Sequence, residues 1–157
     1  MPDLLDYASA LVKRPDWQFE LVSGLTIPAG DGEAAMVCFF SVFTHLLHEE
    51  SYSYLREASR VLRPGGKVVF SFLEFSVDEH WNVFADNVDS IGLPHHLNQF
   101  MSRDGIEAWA RHLELTLEQV YPGDIPYIPL QQPIVLENGQ RYETLGTFGQ
   151  SVAILTR

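Results

Sequence analysis

The sequence predicts an α/β domain built on a largely parallel sheet, and two stretches of the chain carry this prediction. Residues 51–75 combine an amphipathic helix, a tight turn and an apolar strand. Residues 34–41 form a second apolar run ahead of that helix. Apolar runs without polar alternation are typical of parallel strands that are covered on both faces. We therefore expect one βαβ unit over residues 34–73, with a right-handed crossover.

The residues before this unit predict a helix and a short strand. Apolar side chains recur at helical spacing over residues 2–13, and Pro2 suits a first helical turn. Pro15 ends the pattern because proline cannot continue a helix. Residues 17–22 then alternate in part between apolar and polar side chains, as a strand does. A loop rich in glycine and proline, residues 23–32, completes this part.

The first strand of the unit contains the only cysteine of the chain, Cys38. We expect its thiol to be buried, and a lone cysteine cannot form a disulfide within one chain. The N-terminal residues include no basic region and no long apolar run. These features predict a cytoplasmic protein with neither a signal peptide nor a transmembrane helix.

Spacing also predicts the helix of the unit and the turn after it. Leu55 and Ala58 are three residues apart and belong to one apolar helix face. Pro64 cannot continue this helix, and Gly65 can supply the positive φ that a type II turn requires. The apolar strand then follows over residues 67–73.

Two further helices are expected after this strand. The first begins near Ser76, because Ser76 and Glu79 have the spacing of a capping box, and it ends at Gly92. The second runs over residues 103–113, with Ser102 as its N-cap.

The C-terminal third predicts two strands with a hairpin between them. Residues 115–121 alternate like a strand, and residues 150–155 form the last apolar strand. Asn138 and Gly139 lie between two segments that favour strand structure. This dipeptide is a strong signal for a hairpin with a two-residue type I′ turn.

Composition limits the class of protein. The length of 157 residues and the hydrophobic fraction of 46% suit one globular domain. The 10 basic and 21 acidic side chains give a formal net charge of −11. This balance argues against a nucleic-acid partner, since phosphate binding needs clustered lysines and arginines.

The ten residues 57–66, EASRVLRPGG, carry a resemblance to a known family. Together with the apolar strand after them, they resemble the second half of class I S-adenosylmethionine-dependent methyltransferases. In that family the same elements occur in the same order at the same spacing. An unrelated helix–turn–strand unit is the alternative interpretation.

The resemblance implies a Rossmann-like methyltransferase sheet in which the strand order is 3-2-1-4-5-7-6 and the last strand is antiparallel. The chain corresponds to strands 3 to 7, with a β-hairpin inserted between strands 6 and 7. The family's first two strands and its glycine-rich G-x-G-x-G loop have no counterpart in the sequence. Residues 1–157 are therefore expected to form one incomplete, N-terminally truncated domain that is inactive alone. We expect it to bind S-adenosylmethionine very weakly or not at all.

In open α/β sheets, ligands lie at the carboxyl ends of the strands. The resemblance assigns one such segment, Ser23, Gly24 and Leu25, to the adenine ring of S-adenosylmethionine. Ser23 stands where an acidic residue is common, so the usual contact to the exocyclic amine is in question.

A second segment at these strand ends corresponds to the one that flanks the methionine part and the methyl group in the family. Its residues are Ser41, Val42, Phe43 and His45. The alternative interpretation is a plain turn from strand to helix, with Thr44 as a cap.

Family members receive their acceptors beyond the fifth strand. The resemblance assigns substrate contacts there to Phe75, His80 and Trp81, with Asn98 and Phe100 nearby. A core position for Trp81 is an equal alternative. The adjacent histidines at positions 95 and 96 could belong to a lid, although a solvated loop is the favoured interpretation.

One pair of histidines has the spacing of a metal site. His45 and His48 are three residues apart and Glu49 follows, which could place two ligands on one helix face. No third, separate ligand stands out in the sequence. A surface loop beside a helix start is the favoured interpretation, and no metal site is predicted.

The resemblance implies a methyltransferase that uses S-adenosylmethionine and a small-molecule acceptor. No nucleophile or general base is visible, so no catalytic residue is assigned. This fits methyl transfer, because the sulfonium is already activated and the protein supplies mainly proximity and alignment.

A non-catalytic α/β module that binds a partner or associates with itself is the alternative from a different class. Without the family's first two strands, the strand at residues 34–41 has a free edge that attracts other strands. Either residues 17–22 or a second chain could cover this edge.

Overall fold

The computed structural model describes residues 2–94, 96–137 and 139–157. These described residues form five helical segments and eight strands. The helices are α1 (Pro2–Leu11), a 3₁₀ turn (Phe43–His45), α2 (His48–Val61), α3 (Asp78–Asp89) and α4 (Arg103–His112). The strands are β1 (Ala34–Phe39), β2 (Leu62–Phe72), β3 (Thr116–Tyr121), β4 (Ile128–Pro129), β5 (Ile134–Val135), β6 (Arg141–Tyr142), β7 (Leu145–Gly146) and β8 (Ser151–Thr156).

The central sheet has four strands in the order β1-β2-β8-β3. β1 and β2 are parallel, with Val37 opposite Val68, and α2 connects them. β8 is antiparallel to both of its neighbours, β2 and β3. This is the 4-5-7-6 part of the expected methyltransferase sheet, with the last strand reversed as predicted. The Rossmann-like α/β fold is confirmed.

The core lies where α2 and α4 pack against the sheet. Leu55 and Ala58 of α2 are fully buried, as the helical spacing predicted. Ile106 of α4 and the β2 phenylalanines Phe70 and Phe72 belong to the same cluster. Burial of each large apolar side chain stabilises the fold by about 1.5–3 kcal/mol.

The predicted turn at Pro64 and Gly65 lies inside β2, which begins at Leu62 directly after α2 rather than at residue 67. The register between β1 and β2 shifts at this point, because Ala34 lies opposite Leu62 and Met36 lies opposite Lys67. Gly65 has a φ of 75°, the left-handed region that glycine adopts without steric cost. Its N–H donates to the carbonyl of Arg157 at 2.8 Å, and the N–H of Arg157 donates to Gly66 at 3.0 Å. The turn is therefore fastened to the end of β8.

The prediction of a strand at residues 17–22 is wrong. These residues form no strand, and Trp17 and Leu21 are exposed. A short strand needs a neighbour for its backbone hydrogen bonds, and no described strand lies beside it. β1 is therefore an edge strand, half exposed rather than covered on both faces.

The predicted burial of Cys38 is also wrong. Cys38 is exposed, and among the described strands β1 has a neighbour on one side only. The apolar face of α1 is only partly covered, since Leu4 and Leu11 are exposed while Leu5 and Ala8 are partly buried. Helical spacing correctly predicted α1 but not a surface that covers it.

Of the N-caps predicted for α3 and α4, the structure confirms only that of α4. Ser102 caps α4 as predicted, since its Oγ accepts from the N–H of Gly105 at 3.3 Å. The capping box at Ser76 is wrong, because α3 begins at Asp78 and Val77 occupies the N-cap. The Ser76 hydroxyl donates instead to Glu74, at 3.0 Å.

The predicted hairpin is present as β5 and β6, which pair antiparallel. Its loop is one residue longer than expected. The N–H of Leu136 donates to Gln140, the N–H of Gly139 donates to Leu136, and Gly139 has a φ of 85°. This pattern is typical of a three-residue loop with a glycine bulge. Asn138, the first predicted turn residue, lies outside the described residues.

A longer arm carries this hairpin. β4 and β7 pair antiparallel below it, so residues 127–146 form one arm, which we call the hairpin arm. It leaves the sheet after β3 and returns before β8. No helix in the described part of the chain has the length and apolar character that crossing a membrane requires.

Candidate functional site

Polar side chains collect at the carboxyl edge of the parallel strands. Ser41 follows β1, and Glu74 follows β2. Because β8 runs in the opposite direction, Gln150 and Ser151 at its start lie at the same edge. Ligands of open α/β sheets bind at this edge, so it is the candidate site.

Ser41 has an uncommon backbone conformation that a side-chain relay holds in place. Its φ is 54°, a left-handed value that few residues other than glycine adopt. The N–H of Ser41 donates to Ser71 Oγ at 2.8 Å. The Ser71 hydroxyl, which is fully buried in β2, donates to Gln150 Oε1 at 2.6 Å. Three strands thus contribute to the conformation of one residue.

Glu74 is the centre of a second network. Its side chain is buried, and Arg103 donates to both carboxylate oxygens at 2.8 Å. Ser151 and Ser76 also donate to it. Burial, the largest single influence, raises the pKa of Glu74, but these hydrogen bonds together lower the pKa below its ordinary value. The network joins β2 to α4 and β8 at the site.

His80, a predicted substrate contact, is buried and has both ring nitrogens engaged. Its Nδ1 accepts from the N–H of Glu74 at 3.0 Å, which fixes the hydrogen on Nε2. Nε2 lies 3.0 Å from the carbonyl of Gly149 and donates to it. An added Cβ at Gly123 would lie 2.7 Å from Nε2. The ring therefore holds the loop before β8 in place and has no nitrogen free for a substrate.

The first predicted cofactor segment lies beside α2. Gly24 has a φ of 78°, and its carbonyl accepts from the Tyr54 hydroxyl at 3.4 Å. The Tyr54 ring contacts Phe39, the last residue of β1, with 5.7 Å between centroids. Ser23 and Leu25 flank Gly24, so this segment lies near the carboxyl end of β1.

The rest of that loop is fastened by Arg60. Its guanidinium donates to the carbonyls of Ile27 and Ala29 and to Asp31 Oδ1. Glu57 accepts from the N–H of Ile27 at 3.2 Å and pairs with Arg60. Both charged residues belong to the decapeptide that carried the family resemblance.

The second predicted cofactor segment contains both core and edge residues. The side chain of Phe43 is fully buried and stacks on Phe39 with 4.8 Å between centroids, so only its backbone can face a ligand. Val42 is partly buried. Thr44 is 1% exposed, and its Oγ1 has no hydrogen-bond partner in the described structure. Thr44 is not the N-cap of the 3₁₀ turn, which is Val42.

Residues 97–100, which we call the strap, cross this segment. The N–H of Gln99 donates to the carbonyl of Thr44 at 2.8 Å. The ring nitrogens His45 Nδ1 and His48 Nε2 each lie 2.8 Å from a strap carbonyl, at Leu97 and Phe100, and donate to it. The two histidines thus fasten the strap. Among the described residues, no three histidine, cysteine or acidic side chains are placed to hold a metal ion.

An aromatic cavity lies between the strap and α3. Phe75 stacks on Phe100 with 4.7 Å between ring centroids, and Phe84 contacts both rings edge-on. The cavity has a volume of about 420 Å³. Its lining residues are His48, Phe75, Phe84, Asn87, Val88, Ile91, Leu97, Asn98, Gln99 and Phe100.

The structure separates the three predicted substrate contacts. Phe75 lines the aromatic cavity, and Trp81 lies on the outer side of the aromatic cluster, half exposed. His80 lies behind the cluster in the core. Asn98, also noted in the sequence, lines the cavity and donates to Asn87 at 3.1 Å. His96 is exposed, and His95 lies outside the described residues.

A second cavity, of about 540 Å³, lies under the hairpin arm, and we call it the hairpin cavity. Its floor includes Gly123 and Gly149, on either side of the His80 ring. Phe148 in its lining contacts Phe40, the residue after β1, with 5.1 Å between centroids. This contact joins the hairpin cavity to the carboxyl edge of the sheet.

Sequence reasoning did not find Ser71, Gln150 or Arg103, or the hydrogen-bond partners of Glu74. Ser71 and Glu74 are polar residues within or directly after an apolar strand, and this was the available signal. Gln150 lies 79 positions from Ser71, and Arg103 lies 29 positions from Glu74, so no local pattern could identify these pairs.

Comparisons with known proteins agree with this geometry. A family model described as a methyltransferase domain matches residues 1–70, which include both predicted cofactor segments. No curated protein sequence matches the chain significantly.

Solved structures match along the whole chain. An S-adenosylmethionine-dependent methyltransferase from Methanosarcina mazei is 10% identical, and the match covers 100% of this chain and 78% of that one with a TM-score of 0.66. A complex of the Haloferax volcanii Trm112 methyltransferase activator with a candidate methyltransferase matches at 17% identity over 99% of this chain and 68% of that one, also with a TM-score of 0.66. A candidate methyltransferase from Bacillus halodurans is 20% identical over 100% and 79% of the two chains, with a TM-score of 0.60.

Proposed function

The chain has the fold of the class I S-adenosylmethionine-dependent methyltransferases, and on this premise we propose that it belongs to an enzyme that methylates a small molecule. The match of residues 1–70 to a methyltransferase domain carries the proposal. S-adenosylmethionine is the methyl donor that such a domain implies. It supplies a methyl group on a sulfonium, which needs no further activation.

The chain provides groups suited to binding part of S-adenosylmethionine. Gly24 and its neighbours present backbone groups at the carboxyl end of β1, where the adenine ring is expected. Thr44 offers a buried hydroxyl that has no partner in the described structure, within the segment expected at the methionine part. The chain contains no G-x-G-x-G sequence. Backbone N–H groups of such a loop would normally bind the methionine carboxylate.

The proposed role of this chain's residues is positioning. The relay from Gln150 through Ser71 fixes the backbone at Ser41, next to the expected methyl group. The strap, fastened by His45 and His48, closes one side of the aromatic cavity. Phe75 presents an apolar face to an acceptor there, and Trp81 shields the cluster from water.

Titration with S-adenosylhomocysteine, followed by amide NMR, tests this function. We expect weak binding, with shifts confined to Gly24, Leu25 and residues 41–45, while Gly139 at the hairpin tip serves as the internal control. Micromolar affinity would contradict the expected loss of the carboxylate-binding loop. Shifts at Gly139 without shifts at Gly24 would contradict the assignment of the site.

A second candidate function has one observation in its favour. β1 has a neighbour on one side only, and its free edge includes Met36, which is 56% exposed. A free, uncharged edge favours pairing with another strand. In this alternative the chain is a non-catalytic module that binds a partner or a second copy through β1. Catalytic turnover with any acceptor would exclude it.

A further inference from the structure

The hairpin cavity combines apolar walls with one charged end. The walls come mainly from the hairpin arm, through Ile128, Leu130, Ile134 and Leu136, with Phe148 beside them. Cavities of about 300–1,000 Å³ with such linings suit small organic ligands, and this one has about 540 Å³. An occupant would therefore bury an apolar body between the arm and the floor.

Both charged side chains that line this cavity are carboxylates, those of Glu79 and Asp124. Glu79 precedes His80 and Asp124 follows Gly123, and the His80 ring and Gly123 are in contact. The two acids are therefore placed at the same end of the cavity. Within the described part of the chain, neither carboxylate forms a salt bridge. Asp124 interacts electrostatically with Arg103, whose guanidinium forms its salt bridge with Glu74.

This arrangement determines the chemistry of a complementary ligand. A cationic group at the acidic end would gain attraction from both carboxylates, and an anion would be repelled there. The formal net charge of −11 adds to this preference at longer range. An apolar chain or ring attached to the cation would fill the space between the walls.

We propose that the hairpin cavity is a binding site for small amphipathic cations, namely primary or substituted amines that carry an apolar body. The site does not depend on methyl transfer or on bound S-adenosylmethionine. Phe148 joins it to Phe40, so an occupant would lie beside the carboxyl edge of the sheet.

The probe for this site is octylammonium, compared with octanoate and 1-octanol. Amide NMR follows Gly123, Gly146 and Gly149, which line the cavity. We expect saturable shifts at these glycines with octylammonium and at least tenfold weaker binding of octanoate. Glu79→Gln and Asp124→Asn should each weaken octylammonium binding about two- to fivefold, as for exposed charge pairs, and leave 1-octanol unaffected.

Two further variants sharpen the test. Leu130→Trp should weaken binding of all three probes because the larger side chain takes up part of the cavity. Glu107→Gln removes an exposed carboxylate outside the cavity and should change nothing. Equal affinity for octanoate and octylammonium would overturn the proposal. So would octylammonium shifts at Phe75 and Phe84 with none at the three glycines. Neither result bears on binding of S-adenosylhomocysteine, which has its own marker residues.

Discussion

At the scale of single residues, the candidate site contains a strained backbone conformation that polar side chains stabilise. Ser41 has a positive φ, which costs a residue with a Cβ about 1–2 kcal/mol. Ser71 and Gln150 offset this cost by fixing the Ser41 N–H. Backbone strain of this kind is often found at functional sites, and here it coincides with the segment expected beside the methyl donor.

The strain at Ser41 predicts that glycine is better tolerated there than a β-branched residue. Ser41→Gly should raise the free energy of unfolding by about 0.5–1 kcal/mol, because relief of strain exceeds the added entropy of the unfolded chain. Ser41→Val should lower it by about 1–2 kcal/mol. Urea denaturation of the two variants measures both. If valine were as stable as glycine, the left-handed conformation at residue 41 would be wrong.

Glu74 predicts a dependence of stability on pH. Its pKa is lower in the folded chain, so it stabilises the fold above the unfolded value of about 4.3, and this stabilisation is lost as pH falls through the folded pKa. Glu74→Gln should cost about 1–3 kcal/mol at pH 7, since Arg103 and two serines lose a charged acceptor. The difference from the wild type should shrink below pH 4.

Urea denaturation between pH 7 and pH 3 tests this prediction, with Glu118→Gln as the control. Glu118 also pairs with a cation, Lys67, but both side chains are well exposed to solvent. Exposed pairs contribute little to stability, so this variant should resemble the wild type. Identical pH profiles for Glu74→Gln and Glu118→Gln would rule out the network as a source of stability.

At the scale of elements, the hairpin arm is the addition that shapes the site. Its strands are two residues long, and their side chains are mostly exposed. The arm contacts the rest of the chain near its base, where Thr147 donates to the carbonyl of Gly123 and Phe148 meets Phe40. We therefore expect the arm and the central sheet to respond separately to substitution.

Gly139 gives the test of that independence. Gly139→Val places a β-branched residue at a φ of 85°, so the hairpin should become disordered. The backbone chemical shifts of residues 67–73, in β2, should stay unchanged. The adjacent variant Gln140→Val is the control and should leave the hairpin ordered. Changes in β2 would show that the arm is part of the core.

At the scale of the whole molecule, the main uncovered surface of the described structure is the free edge of β1. The two ways of covering it predicted from the sequence were residues 17–22 and a second chain. Residues 17–22 do not form a strand, so β1 remains open in the described structure. α1 and residues 17–22 add further exposed apolar side chains, including Tyr7 and Trp17.

This edge predicts association at high protein concentration. Light scattering should show a mass that rises with concentration, because pairing of two β1 edges satisfies their free backbone groups. Met36→Lys should reduce the association, since a charge on an edge strand opposes pairing. Val135→Lys, on the exposed hairpin, is the matched control. A monomer at all concentrations with freely exchanging amides in β1 would contradict the prediction.

The sequence by itself determined the elements that local rules control. Helical spacing located α2 and α4, the serine cap fixed the start of α4, and Gly65 and Gly139 marked turns that require positive φ. The motif at residues 57–66 then predicted the order 4-5-7-6 for the four strands of the central sheet, which is confirmed, whereas the third strand expected at residues 17–22 does not form. It also led to the two cofactor segments, whose role in binding stays a prediction.

Only the tertiary structure decided which side chains are buried and which residues form hydrogen bonds or strand pairs with each other. Cys38 lies in an apolar run but is exposed, and Trp17 lies in a pattern typical of a strand although residues 17–22 form none. Glu74 has an ionisable side chain and is nevertheless buried. Its burial is possible because Arg103 and Ser151, from distant parts of the chain, donate hydrogen bonds to its carboxylate. Spacing along the chain specifies which face of an element is apolar. Whether that face is covered depends on the element that packs against it, and local sequence contains no information about that neighbour.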